Sequence, residues 1–153
     1  MKSEKIEPKG CLKGEINVPG DKSISHRILM LASLAEGEST IQGLSRGQDV
    51  KHTMDILSSL GAQLSEIGSD DLHVQGGELK EPTRNLYVGN SGTSIRLMSG
   101  MLAGLPFSTT LDGDKSIRKR PMGRIIEPLE RMGVSIACLE ATGMAPFRID
   151  GGG

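Results

Sequence analysis

Pro19-Gly20-Asp21-Lys22-Ser23-Ile24-Ser25-His26-Arg27 is a turn signal that runs straight into an apolar periodicity. Ile24, Ile28, Leu31, Ala32 and Ala35 recur at helical spacing, which predicts a helix over about residues 24–35. Asp21, Ser23 and Ser25 all suit its N-cap. A helix start exposes unpaired N–H groups and the positive end of the dipole. Here it also gathers Lys22, two hydroxyls and Arg27, a set suited to a phosphate or carboxylate.

A second copy lies further on. Gly89-Asn90-Ser91-Gly92-Thr93-Ser94-Ile95-Arg96 again passes from strand to helix through small and hydroxyl residues, with Arg96 early in the run Leu97, Met98, Met101, Leu102. Leu60-Gly61-Ala62-Gln63-Leu64 matches Met132-Gly133-Val134-Ser135-Ile136, and Leu72-His73-Val74-Gln75-Gly76-Gly77 matches Phe147-Arg148-Ile149-Asp150-Gly151-Gly152. The chain therefore reads as two copies of a unit of roughly 70 residues, a repeated architecture.

The elements follow from punctuation and period. A strand is expected at Lys13–Val18, then the first helix, a strand at Ser39–Leu44 and a helix at Gln48–Leu60 stopped by Gly61. Two strands, Ala62–Ile67 and Asp71–Gln75, are joined by Gly68-Ser69-Asp70. The second copy repeats the order with a strand at Asn85–Val88, a helix at Ser91–Ala103 and a strand at Phe107–Asp112. A helix from Pro121, a favoured first position, runs to Met132 across Pro128, and strands follow at Val134–Leu139 and Pro146–Ile149. The order β-α-β-α-β-β, twice, implies an α/β (α+β) fold with crossover connections.

Composition sets outer bounds. The 153 residues suffice for one domain with a core, which must be built of Leu, Ile, Val, Met and Ala because aromatics are 2% and Trp is absent. A net charge of −1 argues against wholesale binding to nucleic acid or an acidic membrane. The basic residues concentrate locally instead, at Lys115, Arg118, Lys119, Arg120 and Arg124. No apolar run is long enough to cross a bilayer and the polar start, Met1 to Pro8, carries no signal region, so a cytoplasmic protein is expected. Cys11 and Cys138 read as free thiols.

Other motifs fail. Asp21-Lys22-Ser23 lacks the glycine spacing of a P-loop, and no Gly-x-Gly-x-x-Gly follows a strand. His26, His52 and His73 have no metal-ligand spacing, so no metal is expected. His26 is read as facing solvent or substrate, and Asp49 and Asp55 as capping or solvated.

Pro19 to Arg27, Gly89-Asn90-Ser91-Gly92-Thr93 with Arg96, and Arg118-Lys119-Arg120-Pro121-Met122-Gly123 together resemble the 5-enolpyruvylshikimate-3-phosphate synthase family, from about Lys9 to the end. The resemblance implies an inside-out α/β barrel of the enolpyruvyl transferase type. It also implies transfer of the enolpyruvyl group of phosphoenolpyruvate to the 5-hydroxyl of shikimate 3-phosphate, with no cofactor. Lys22 resembles the lysine that reaches both substrates and serves in proton transfer. Ser23 and Arg27 look like ligands of shikimate 3-phosphate. Gly92 and Arg120 look like the phosphoenolpyruvate positions, and Asn90, Thr93 and Arg96 like supporting residues. Ser91 and Leu97 depart from the commoner alanine and proline, which bears on the response to the inhibitor glyphosate.

Members of the family are roughly three times as long, with two domains of three β-α-β-α-β-β units each that close over the substrates. By that resemblance residues 1–18 form a segment that crosses to the second domain, 19–80 a first unit and 81–153 a second. The third unit and the second domain, with the family's acidic catalytic residues, are the complementing partner. The chain alone, as a fragment or one half of a split enzyme, is expected to be inactive or nearly so. Two alternatives differ in class. A phosphate-binding assembly module would bind without turnover. UDP-N-acetylglucosamine enolpyruvyl transferase uses a reactive Cys that the loop Gly113-Asp114-Lys115-Ser116-Ile117 does not contain.

Overall fold

Each half of the chain forms a split β-α-β motif, in which a late strand inserts between two parallel ones. The computed structural model describes all residues except Met1, Lys2, Ile6, Pro8, Lys9, Leu12, 68–70 and Gly153. The turn expected at Gly68-Ser69-Asp70 lies outside the described residues.

The first half runs α1 (Lys22–Leu34), β1 (Gly37–Gln42), α2 (Gln48–Ser59), β2 (Gln63–Ile67) and β3 (Asp71–Gly76). β3 lies between β1 and β2 and is antiparallel to both, with His73 opposite Thr40 on one side and Ser65 on the other. The second half runs β4 (Leu86–Tyr87), α3 (Gly92–Ala103), β5 (Ser108–Asp112), α4 (Gly123–Arg131), β6 (Ser135–Cys138) and β7 (Phe147–Asp150). β7 lies between β5 and β6 in the same antiparallel way, with Arg148 opposite Thr110 and Ala137. β4 adds a parallel edge to β5, pairing Leu86 with Leu111. The four helices pack on one another, α1 on α2 and α3, α2 on α3, α3 on α4. Each sheet packs on the helices of its own half, and α2 also meets β4 of the other.

The matched sequence segments have matched geometry. Gly61 and Gly133 have φ of 98° and 99°, the left-handed conformation that ends a helix. The residue after each bonds back across the last turn, Ala62 N–H to Leu57 O and Val134 N–H to Leu129 O, both at 3.0 Å. The glycines at the ends of β3 and β7 let a strand run against a helix end. A Cβ at Gly76 would lie 2.1 Å from Ala32 O, and one at Gly151 would lie 2.2 Å from Leu105 O.

The core is aliphatic, with Leu29, Val50, Leu57, Ile95, Met98, Leu102, Leu111, Phe147 and Ile149 fully buried. Burying each large apolar side chain is worth about 1.5–3 kcal/mol.

Lys13–Val18 alternates like a strand and, as expected of a segment whose partner lies in the second domain, joins no sheet among the described residues, with Ile16 and Val18 exposed. Its counterpart β4 does pair, because the 86–87 segment is held at both ends: Val88 N–H bonds Asp112 O, and Leu86 is buried. Two expectations change. The last helix begins at Gly123 rather than Pro121, since Met122, fully buried, forms its N-cap. The periodic stripe Ile24, Ile28, Leu31 on α1 does not meet the core. Leu29, Met30 and Ala32 do, together with Ser25, His26 and Ser33.

Candidate functional site

The site is built where the N-termini of α1, α2 and α3 meet. Asp21 is the cap that α1 uses, accepting the Ile24 N–H at 2.7 Å. Gly20 lets the chain enter closely, since a Cβ there would lie 1.9 Å from Gly43 O. Lys22, the first helical residue, then reaches across to α2, its Nζ donating to Asp49 Oδ2 at 2.9 Å. Asp49 is thus neither a cap nor merely solvated, which corrects the expectation from sequence. Its half-buried carboxyl is held below the usual carboxylate range by the hydrogen bond from Lys22, against an opposing effect of burial. Asp55 is exposed, in keeping with a solvated role.

Ser91 caps α3, accepting from Ser94 N–H at 3.1 Å, and its hydroxyl is among the groups that lower the Asp49 pKa. Next to it, Gly92 sits under two cations. A Cβ at Gly92 would lie 2.9 Å from Nη1 of Arg120 and 2.9 Å from Nη1 of Arg96. Arg96 folds back one turn to donate to Gly92 O at 2.9 Å. Asn90 is exposed and Thr93 half-buried beside it.

Arg120 arrives on a loop strapped to the same place. Asp114 N–H donates to Gly89 O at 2.8 Å, and Gly113 packs so closely there that a Cβ would lie 2.6 Å from the same oxygen. The Asp114 carboxylate accepts from Ser116 N–H, Ser116 Oγ and Ile117 N–H, which closes the next turn. Those bonds, Ser116 foremost, lower the Asp114 pKa. Arg118 forks onto Asp112 and reaches Glu140, so it is occupied in holding the loop. Ile117 is fully buried and its carbonyl accepts from Arg120 N–H at 2.9 Å.

Lys22, Asp49, Gly92 and Arg120 are therefore gathered round the start of α3: Lys22 holds Asp49, Ser94 Oγ lies 3.4 Å from Asp49 O, and Arg120 lies over Gly92. Ser23 and Arg27 lie exposed on the outer turn of α1, where Arg27 Nη1 donates to Ser23 O at 3.0 Å. Arg96 and Arg120 are exposed, ready to exchange solvent for an anion. His26 departs from its sequence-based expectation. It is fully buried, facing neither solvent nor a crevice, with Nδ1 2.8 Å from Thr53 Oγ1. Desolvation, foremost, lowers its pKa, partly offset by Asp49, so it is neutral at pH 7. A cavity of about 300 Å³ lined by Leu44, Arg46, Lys51 and Glu66 includes none of these residues.

Two repeated α/β units that bring helix starts and guanidinium groups to a backbone glycine define an α/β protein with a cationic cluster whose chemistry suits an anion. The family profile described as EPSP synthase (3-phosphoshikimate 1-carboxyvinyltransferase) matches residues 6–153, and the chain belongs to that family. It is 51% identical over 151 residues to a 3-phosphoshikimate 1-carboxyvinyltransferase of Halorhodospira halophila, covering 97% of this chain and 34% of the relative. It is 47% identical to the one from a Synechococcus strain, covering 96% and 34%. An EPSP synthase structure from Acinetobacter baumannii superimposes with a TM-score of 0.85 at 41% identity, over 91% of this chain and 32% of that one. The chain thus spans about a third of the length of the relatives it matches.

Proposed function

We propose that this chain supplies the first substrate-gripping part of a 3-phosphoshikimate 1-carboxyvinyltransferase, the shikimate-pathway enzyme that joins phosphoenolpyruvate to shikimate 3-phosphate. The observation that carries the reading is the pairing of Lys22 with Asp49 and of Arg120 with Gly92, the two pairs joined through Ser94 Oγ, 3.4 Å from Asp49 O. Arg120 offers phosphoenolpyruvate a planar fork of donors, and Gly92 leaves the room beneath it. Ser23 and Arg27 take shikimate 3-phosphate at the start of α1, with Lys22 between the two substrates. Asn90, Thr93 and Arg96 support the turn under Gly92.

In the reaction, the 5-hydroxyl oxygen of shikimate 3-phosphate bonds to C2 of phosphoenolpyruvate while a proton joins C3. The tetrahedral adduct then loses a C3 proton and its phosphate. Asp49 holds Lys22 near the start of α3, where the ammonium faces charge developing on both substrates. The work is done in the cytoplasm, on small metabolites.

The two thirds of the relatives' length beyond this chain is the complementing partner, consisting of a third unit and a second domain. Residues 1–18 cross to that domain, with 19–80 and 81–153 as the two units present. An uncovered apolar stripe, Ile24, Ile28 and Leu31, supports a seat for the third unit on α1.

Calorimetry of the isolated chain with shikimate 3-phosphate tests the grip, with weak binding expected that is lost in Arg27→Ala. A phosphate-release assay tests the rest. The chain alone is expected to give no turnover, and mixing with the remaining portion of a relative is expected to restore it. No binding and no restoration together would refute the reading.

A further inference from the structure

Behind the starts of α1, α2 and α3 runs a line of buried polar side chains. His26 on α1 lies 2.8 Å from Thr53 Oγ1 on α2, and Thr53 Oγ1 lies 3.0 Å from Ser94 Oγ on α3. Ser94 Oγ donates to Ser91 Oγ at 2.7 Å, and Thr53 Oγ1 and Ser94 Oγ each lie 3.4 Å from Asp49 O, while the Ser91 hydroxyl is among the groups that lower the pKa of the Asp49 carboxyl. His26, Thr53, Ser91 and Ser94 are all essentially inaccessible.

The directions follow from one proton per hydroxyl. Asp49 is ionised and only accepts, so Ser91 spends its proton there. Ser94 donates to Ser91, and Thr53 turns its proton to Ser94 or to Asp49 O, 3.4 Å away. Thr53 has no proton left for the imidazole, so His26 donates from Nδ1. That tautomer leaves Nε2 bare, and Nε2 is the ring atom with no partner among the described residues. The opposite tautomer would bury an orphaned N–H, a rarer and costlier arrangement than an idle acceptor.

The second copy of the fold is an internal control for packing. Aligning Arg27 with Arg96 puts Ile95 at the place of His26, and aligning Gly61 with Gly133 puts Ile125 at the place of Thr53. Ile95 is fully buried and Ile125 packs on the core. An isoleucine satisfies the packing at both places, so the imidazole and hydroxyl of the first copy answer to something else. They lead to the one copy that carries Lys22 and Asp49.

We propose that His26 is a positioning residue: it begins a one-way chain of hydrogen-bond donors through Thr53, Ser94 and Ser91 that fixes the Asp49 carboxylate and with it Lys22. The chain ties three helix starts to one acceptor and aims the cation from behind. Its link to catalysis rests on the proposed function; the chain itself does not.

NMR on the uniformly ¹³C,¹⁵N-labelled 153-residue chain tests it. The imidazole nitrogens of His26 are expected to show the proton on Nδ1, a measurement that needs no variant. The Asp49 carboxyl carbon reports the rest. Lys22 and His26 are the charged or titratable groups acting on it. Its titration midpoint is expected to rise in Ser91→Ala, and by less in His26→Ile and Thr53→Val. His26→Asn, which keeps a donor towards Thr53, restores the wild-type value. A purely structural role would lower stability in Thr53→Val without moving Asp49, and the charge of His26 acting alone would move Asp49 equally in His26→Ile and His26→Asn. A proton on Nε2, an Asp49 midpoint unmoved in Thr53→Val, or no restoration by His26→Asn overturns the proposal. Failure of the wild-type chain to bind shikimate 3-phosphate would sink the proposed function and leave these readouts intact.

Discussion

A Cβ built at Gly92 meets only the tips of Arg120 and Arg96, each at 2.9 Å, and both tips swing into solvent. The backbone there is already helical, where alanine is intrinsically favoured by about 0.8–1.0 kcal/mol. Gly92→Ala is therefore expected to leave thermal stability within about 1 kcal/mol. It is expected to weaken phosphoenolpyruvate binding, because the methyl fills the space under the Arg120 guanidinium. Differential scanning calorimetry beside titration calorimetry separates the two effects. His26 makes a different residue-scale prediction. Its folded pKa lies below its ordinary 6.5, so below pH 6.5 the unfolded chain takes a proton that the folded chain refuses. Stability is then fully present above about 6.5 and falls as pH drops towards the folded value, by up to about 1.4 kcal/mol per pH unit. Urea melts at pH 7 and pH 5 are expected to differ by less in His26→Ile, which has nothing there to titrate. The motif residues Lys22, Gly92 and Arg120 are legible in the sequence because each sits beside turn or helix-start signals. The roles of His26 and Asp49 are not, for one reason. A single sequence shows spacing along one helix, whereas their partners Thr53, Ser91 and Lys22 come from neighbouring ones.

At the scale of elements the glycines divide into those that a strand needs and one that a helix merely tolerates. Gly76→Ala puts a methyl 2.1 Å from Ala32 O and 2.3 Å from Ala35 O, both backbone atoms at the end of α1. Neither retreats without unwinding the helix end, so a loss of about 3 kcal/mol or more is expected, in the range of severe overpacking. Gly100 stands in the middle of α3, exposed, and a methyl added there would find nothing within 4 Å. Gly100→Ala is expected to stabilise by about 0.5–1 kcal/mol. Chemical denaturation of the two variants checks both signs. The repeat of Gly76-Gly77 in Gly151-Gly152 is visible in the sequence, and so is the matched pair Gly61 and Gly133. Helix and strand order follows from these and from period. Edge pairing does not. Lys13–Val18 has the alternation of a strand, and alternation says nothing of whether a partner edge holds it.

For the whole molecule the faces of α1 are the telling feature. Its inner side carries Ser25, His26 and Ser33 among the apolar residues, and its outer side carries Ile24, Ile28 and Leu31 at 68%, 40% and 64% exposure. A helix read alone would be turned the other way, with the aliphatic stripe inward. Two requirements meet on it: on the inner side His26 starts the line to Asp49 and Ser25 ties Asp21 O to Ser45 N–H, and the outer stripe lines a groove with Ala35 and Ile41 beside β1. The remainder of a relative, seated on that groove, would remove this apolar surface from water at about 25 cal/mol per Å². Leu31→Lys removes nothing that the isolated chain buries, so its stability is expected to stay within about 0.5 kcal/mol of wild type. Placed in the seat, the same lysine would bury a charge without a partner. Phosphate release restored by mixing is then expected to fall at least tenfold for Leu31→Lys, with shikimate 3-phosphate binding by the isolated chain unchanged. Full restoration by Leu31→Lys would mean that the complementing portion docks elsewhere, and the stripe on α1 would need another occupant.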